Sequence, residues 1–295
     1  MNRLGFVGLG RMGVVMAPRL LAADRPLVVW NRNKDRAAPL IAAGARLATT
    51  PAALTREADI VFVMLHDDIA ADAVYGGAEG LLANDAPGRL FVDLSTLRPS
   101  TVKRLDVLAR MRGAALIDAP VSGTVAPARD GQLLAMAGAR PADLERARPY
   151  LDLLCRRVVH AGAVGQGALL KLVVNLPLAV YWQSLAEALA LGRAGGLDYR
   201  AMLDTLQDSS AALAVLGLKT PAILGHGGAP TFDVASMQKD LLYMLEAGST
   251  SGVPMPATAA ALGTYAAASA VGLGAQDAVA IVRFLAERMT RNPAR

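Results

Sequence analysis

Leu4-Gly5-Phe6-Val7-Gly8-Leu9-Gly10-Arg11-Met12-Gly13 decides how the rest of the chain is read. The apolar run Leu4–Val7 has the length of a buried strand and leads directly into G-x-G-x-x-G. A helical pattern over residues 11–23 opens behind it. A glycine pattern alone is weak, because glycines gather in many purely structural turns. Strand, glycines and helix at the start of a βαβ unit are the context in which this fingerprint holds a dinucleotide. Gly8 then permits the tight turn, Gly10 lets the backbone approach a pyrophosphate, and Gly13 lets the helix pack close to the sheet. Leu9, Arg11 and Met12 complete the loop, with the phosphates at the helix N-terminus, where N–H groups lack intrahelical partners.

The end of the second strand, Leu27–Trp30, bears on cofactor choice. An NAD site usually places Asp or Glu there, about 20 residues past the glycines, to bind the ribose 2′-OH. Here Asn31, Arg32 and Asn33 follow instead. The planar guanidinium fork of Arg32 suits a 2′-phosphate. The reading is NADP(H) favoured, with NAD(H) as the alternative if Arg32 is only a solvated side chain.

Further strand-like runs lie at residues 59–64, Leu90–Asp93, Ala115–Asp118, residues 133–137 and residues 158–160, with helical patterns at 34–43, 69–75 and 99–110. Short apolar runs joined by helices imply a parallel, doubly wound α/β sheet of Rossmann type. After Gly162 the pattern becomes helical only: 166–194, 199–207, 235–248, 256–271 and 275–289, with a Gly/Pro-rich loop at 225–230. The expected organisation is a dinucleotide-binding domain over 1–162 and an all-α domain over 163–295, opening with a long interdomain helix. Pro177 is expected to kink that helix by removing a backbone hydrogen bond.

Composition excludes several classes. Of 295 residues, 54% are hydrophobic and 19% charged, enough for a sizeable core and against disorder. One cysteine, Cys155, excludes a disulfide framework, and three dispersed histidines argue against a metal site. His66-Asp67-Asp68 reads more simply as a loop with helix-capping aspartates. The net charge of +5 comes with scattered arginines not interleaved with aromatics, so no nucleic-acid partner is expected. The N-terminus lacks a signal-peptide apolar region, and no uninterrupted apolar run reaches about 18 residues. A cytoplasmic protein without a membrane partner is the expectation.

Three more segments stand out: Asp118-Ala119-Pro120-Val121-Ser122-Gly123, Gly165 to Lys171 with Asn175, and Lys239-Asp240. With Gly8–Gly13 and Asp93-Leu94-Ser95-Thr96 they fall in the order and spacing of the β-hydroxyacid dehydrogenases. The chain resembles that family, which includes 3-hydroxyisobutyrate dehydrogenase and glyoxylate/succinic semialdehyde reductases, from Leu4 to about Leu285.

The resemblance implies an oxidoreductase that moves a hydride between a nicotinamide cofactor and a short β-hydroxyacid, aldehyde or oxo acid, in a cleft between the domains. It implies that Lys171 is the general acid/base, although a lysine on an apolar helix more often snorkels to solvent. A burial-lowered lysine pKa is expected to let it serve both directions. Asn175, one turn on, orients substrate or lysine. Ser122 and Gly123 hold the substrate carboxylate; Thr124 stands where a second glycine is common, so either the loop differs or the pocket narrows. Lys239 lies near nicotinamide and substrate, and Asp240 positions it, caps a network or forms a plain surface pair. Thr96 meets the nicotinamide ribose, Met64 and Leu65 cover the cofactor, and Phe232 reads as core. A homodimer or homotetramer through the C-terminal helices is expected, as in the family. The alternatives are an imine reductase, against which Lys171 argues, and a non-catalytic binding protein, which would be expected to lose Lys171 or the glycines.

Overall fold

The computed structural model describes residues 2–21 and 26–288. The chain forms two compact units, Met1–Lys171 and Leu172–Arg295.

In the first unit the strands are β1 (Leu4–Val7), β2 (Leu27–Trp30), β3 (Arg46–Leu47), β4 (Ile60–Val63), β5 (Leu90–Asp93), β6 (Ala115–Asp118), β7 (Val121–Ser122), β8 (Leu133–Gly138) and β9 (Cys155–Gly162). They join in one sheet in the order β3-β2-β1-β4-β5-β6-β8-β7, with β9 also on β8. Strands β1 to β6 pair in parallel, β8 is antiparallel to β6 and β7, and β9 is parallel to β8. The strand order reverses between β1 and β4, where a doubly wound sheet opens its ligand crevice.

Both faces of the central strands are covered, so their residues are apolar without alternation. Phe6, Phe62 and Val92 point to one face, where they pack with Met16 and Leu20 of α1 (Gly13–Leu21). Val7, Val63 and Phe91 point to the other, where they pack with Leu54 of α3 (Pro51–Glu57), Tyr75 of α4 (Asp68–Gly76) and Leu105 of α5 (Pro99–Met111). Leu40 of α2 (Ala38–Ala42) packs on the first face instead. Caps start these helices where the sequence provides them: the side chain of Thr50 accepts the Ala53 N–H at 3.1 Å and that of Asp67 the Ala70 N–H at 2.8 Å. Two further helices, α6 (Val125–Arg129) and α7 (Pro141–Leu154), complete the unit.

Several of these elements go beyond the sequence pattern. The helix α7 carries Pro149 and a charged stretch that mask its apolar positions Leu144, Ala147, Leu151 and Leu154. The expected helix over 34–43 divides into a 3₁₀ turn, Lys34–Ala37, and α2. The expected helix over 11–23 begins at Gly13, and Ala22 and Ala23 lie outside the described residues.

The long helix α8 (Gln166–Ala194) is 29 residues and is unbroken through Pro177. The division between the units falls within it. Its most apolar window has a mean hydropathy of 1.3 and is 39% buried, so by length and composition alone it would suffice to cross a membrane. Lys171, Asn175, Gln183 and Glu187 interrupt its apolar residues, so no uninterrupted run of about 18 is present.

In the second unit Trp182, Leu185 and Leu189 of α8 pack with residues of α9 (Tyr199–Gln207), α10 (Leu216–Ile223), α11 (Val234–Thr250), α12 (Pro256–Ala268) and α13 (Ala280–Arg288). Phe232 packs, partly buried, on this core, as expected. The pattern over 256–271 ends earlier as α-helix: a π segment, Ser269–Leu273, follows α12, and Val271 and Gly272 leave helical geometry there. The last expected helix starts five residues later than its pattern, at Ala280, and Met289 lies outside the described residues.

Candidate functional site

The residues singled out in the first unit gather at the C-terminal edge of the parallel strands. After β1, Gly8 has φ +93°, and a Cβ there would run into the carbonyl of Met64 at the end of β4. A Cβ on Gly13 would strike the Gly8 carbonyl, so this glycine lets α1 begin against the turn. Gly10 is exposed and faces open space. The cradle therefore has the shape a pyrophosphate needs: tight behind, open in front, and at a helix N-terminus. Arg11 is exposed, Met12 half-buried, and the Leu9 side chain lies in the core.

The end of β2 is tied to this loop. Asn31 Oδ1 accepts the Leu9 N–H at 2.8 Å, and Asn31 donates through Nδ2 to the Asn33 carbonyl at 2.7 Å. Asn33 in turn accepts the Asp35 N–H at 3.0 Å and starts the 3₁₀ turn. Asn31 thus holds the glycine loop and leaves Arg32 exposed, with Lys34 and Arg36 also exposed behind it. Three cations within five residues make this strand end electropositive, as a phosphorylated ribose requires.

Met64 and Leu65, half-buried, leave β4. The Leu65 N–H is held at 2.8 Å by Ser95 Oγ, and the Ser95 N–H donates to Asp93 Oδ1 at 2.8 Å. Tyr75 donates its hydroxyl to the other Asp93 oxygen at 3.0 Å. Burial pushes the Asp93 carboxyl up to about 6, against the opposing pull of the Ser95 and Tyr75 hydrogen bonds. Burial also raises the Tyr75 hydroxyl well above its ordinary value. This chain of bonds fixes the β4 and β5 loops to each other, and half-buried Thr96 follows it.

After β6, Val121 and Ser122 pair with β8, and Gly123 turns with φ +130°. A Cβ on Gly123 would meet the side chains of Leu133 and Pro127. Thr124 has φ −113° and ψ −168°, ordinary extended backbone. The loop therefore accepts a β-branched residue without strain, and what Thr124 adds is bulk beside Gly123. Asp118, at the end of β6 and 1% exposed, accepts N–H groups from Gly165 at 2.7 Å and Ala168 at 2.6 Å. Burial pushes its carboxyl up to about 7, with those two bonds pulling the other way. Lys171 follows on α8 and is 8% exposed.

In the second unit, Asp240 is the hub. It is 1% exposed, accepts from Asn175 Nδ2 at 3.0 Å and pairs with Lys239 Nζ at 2.8 Å. The Lys239 ammonium also stands 4.5 Å from the ring centroid of Tyr243. Asp240 is thus buried between Asn175 and Lys239 and does not form a plain surface pair.

The sequence motifs named the loops but not Asp93, Tyr75 and Asp118 as the groups that hold them. The signal was an acid closing an otherwise apolar buried strand, at both β5 and β6. His66 is exposed, Asp67 caps α4, and Asp68 pairs with Arg98 at 2.7 Å. Among the described residues no three His, Cys, Asp or Glu side chains cluster in a way that would hold a metal ion.

Comparison with known proteins covers nearly the whole chain. Residues 3–162 match the model of the NAD binding domain of 6-phosphogluconate dehydrogenase, and residues 165–285 that of the NAD-binding domain of NADP-dependent 3-hydroxyisobutyrate dehydrogenase. Glyoxylate/succinic semialdehyde reductase 1 of Arabidopsis thaliana is 32% identical over 279 residues, which are 95% of this chain and 96% of that protein. The NAD-dependent L-serine dehydrogenase of Pseudomonas aeruginosa is 35% identical over 274 residues, 90% of this chain and 91% of that one. The solved structure of Mycobacterium tuberculosis 3-hydroxyisobutyrate dehydrogenase with L-serine superposes with a TM-score of 0.83 at 29% identity, covering 97% of this chain and 99% of that one.

Proposed function

The chain belongs to the β-hydroxyacid dehydrogenases, NAD(P)-dependent oxidoreductases acting on CH–OH groups, and on that premise we propose that it interconverts a short oxo acid or aldehyde and its hydroxyacid with Lys171 as general acid/base. The substrate is of 3-hydroxyisobutyrate, glyoxylate or semialdehyde type. The observation that carries the reading is the buried ammonium of Lys171, on a helix whose first turn is bonded to the same sheet edge that bears the glycine cradle.

Gly8–Gly13, Asn31, Arg32, Met64, Leu65 and Thr96 are the residues that would hold the dinucleotide. Arg32 would favour NADPH by pairing with the 2′-phosphate, NADH remaining a weaker alternative. When bound, the nicotinamide supplies the hydride to the carbonyl carbon. Lys171 polarises the carbonyl oxygen and gives it a proton as the alkoxide develops; in the reverse direction its neutral amine takes that proton back. Ser122 and Gly123 hold the substrate carboxylate through hydroxyl and N–H. Thr124 narrows their surroundings and so favours small acids. Asn175 keeps its orienting role, and Lys239, set by Asp240, supplies a second cation.

Exposed apolar side chains on the helices, among them Val173, Leu191 and Leu218, fit a homodimer or homotetramer built through the helical unit. The enzyme works in the cytoplasm, without a nucleic-acid or membrane partner.

The test is NADPH oxidation with a panel of short oxo acids, wild type beside Lys171→Ala. Turnover in the wild type, reduced at least about a thousandfold in the variant with NADPH binding retained, is the expected result. A fully active Lys171→Ala would overturn the mechanism. Turnover only of imines formed from added amines would replace it with an imine reductase.

A further inference from the structure

We infer that Asp118 is a positioning residue for the acid/base step: its carboxylate locks the first turn of α8 to the end of β6 and so fixes Lys171 relative to Ser122 and Gly123. The inference rests on the roles proposed above for Lys171 and for the Ser122–Gly123 segment.

Asp118 reaches across 47 and 50 residues of sequence to take the N–H groups of Gly165 and Ala168, one on each carboxylate oxygen. Those donors belong to the start of α8, where N–H groups have no intrahelical partner and a negative charge complements the helix dipole. From Ala168 to Lys171 is less than one helical turn, a rise of about 4.5 Å.

On the other side, only three residues separate Asp118 from Ser122, and they have little slack. The Ala119 N–H donates to the Asp93 carbonyl at 2.7 Å, and the Pro120 carbonyl accepts the Met136 N–H at 3.0 Å. Glycines let the joint close. A Cβ on Gly138 would meet the Asp118 carboxylate, and one on Gly167 would meet the Asp118 and Met136 carbonyls. The helix that carries the proton donor and the loop that carries the carboxylate anchor therefore share one buried side chain as their common fixed point.

Asp118→Asn keeps the size but offers one acceptor oxygen and sets an NH₂ group against the other N–H. The experiment is a double-mutant cycle of wild type, Asp118→Asn, Lys171→Ala and the double variant. It reads kcat and KM for the oxo acid the wild type turns over best, together with NADPH affinity and Tm. In the wild-type background kcat is expected to fall about 10- to 100-fold, with KM and NADPH affinity changing less than about threefold. In the Lys171→Ala background the same substitution changes residual kcat by less than about twofold, because nothing remains to be positioned.

Equal losses in both backgrounds would make Asp118 a structural residue and overturn the inference, leaving the role of Lys171 intact. Wild-type activity in Lys171→Ala would overturn the acid/base reading itself, and the inference with it. If Asp118→Asn does not fold, Asp118→Glu, whose carboxylate is displaced by one methylene, enters the same cycle under the same criteria.

Discussion

The two edges of the parallel sheet use the same residue type in opposite ways. At the N-terminal edge Asp59, just ahead of β4, accepts the Arg3 N–H at 2.8 Å and pairs with the Arg3 guanidinium at 3.1 Å and with Arg89. Arg3 precedes β1 and Arg89 precedes β5, so one carboxylate ties three neighbouring strands at their starts. The Arg3 hydrogen bond leads the causes that hold the Asp59 carboxyl down at about 2. At the C-terminal edge Asp93 and Asp118 end β5 and β6, are buried, and face N–H and hydroxyl groups rather than cations. Burial pushes them up to about 6 and about 7. A carboxylate met by arginines at the surface secures strand alignment. One met by loop N–H groups in the interior fixes where those loops stand. The upward-shifted buried acids stand at the edge where binding and reaction are proposed.

The sharpest way to break this contrast is a glycine pair. Gly8→Ala forces a side chain into positive φ and into the Met64 carbonyl, and it should weaken NADPH binding by at least about a hundredfold in a fluorescence titration. Gly44→Ala meets the same backbone demand, at φ +102°, but open space. It should cost only about 1–2 kcal/mol of stability and leave NADPH affinity alone. Equal effects on affinity would remove the cradle from the account.

Arg32 comes next. Arg32→Ser should raise the KM for NADPH about 10- to 100-fold while that for NADH changes little, the loss of one charge-assisted contact. A parallel rise for both cofactors would show that Arg32 does not read the 2′-phosphate.

The two acids give opposite pH signatures. Asp93 keeps its proton in the folded chain to about pH 6, whereas the unfolded chain releases it near 4. Its contribution to stability is therefore lost as pH rises through that window, on the order of 2 kcal/mol. Asp93→Asn, which still accepts from Ser95, should flatten the wild-type decline in urea midpoint between pH 4 and 6. Asp59 runs the other way. Its depressed value stabilises the fold above about pH 4, and the contribution disappears as pH falls toward 2. Asp59→Asn should cost about 1 kcal/mol at pH 7, modest because the pair is partly solvated, and nothing near pH 2.

What the sequence made legible follows from the range of the interactions. Leu4–Val7, Leu27–Trp30, Leu90–Asp93 and Ala115–Asp118 are read correctly because a buried parallel strand is apolar on both faces. The strand, turn and helix around Gly8–Gly13 stand where the pattern put them because that context is local. The helix Pro141–Leu154 is missed because Pro149 looks like a stop, yet the chain accommodates it inside the helix. The two-residue strand Arg46–Leu47 is too short to carry a pattern. The holding roles of Asp93 and Asp118 and the bond from Asn175 to Asp240 were not legible, since they depend on partners 18 to 65 residues away that only the fold brings near.

The most direct test of the two-edge account is hydrogen–deuterium exchange of the wild-type protein with and without NADPH. Added protection is expected over residues 8–13, 31–36, 64–65 and 95–96, with residues 56–59 and 84–89 unchanged. Protection concentrated at the Asp59 edge, or absent from the glycine loop, would contradict it.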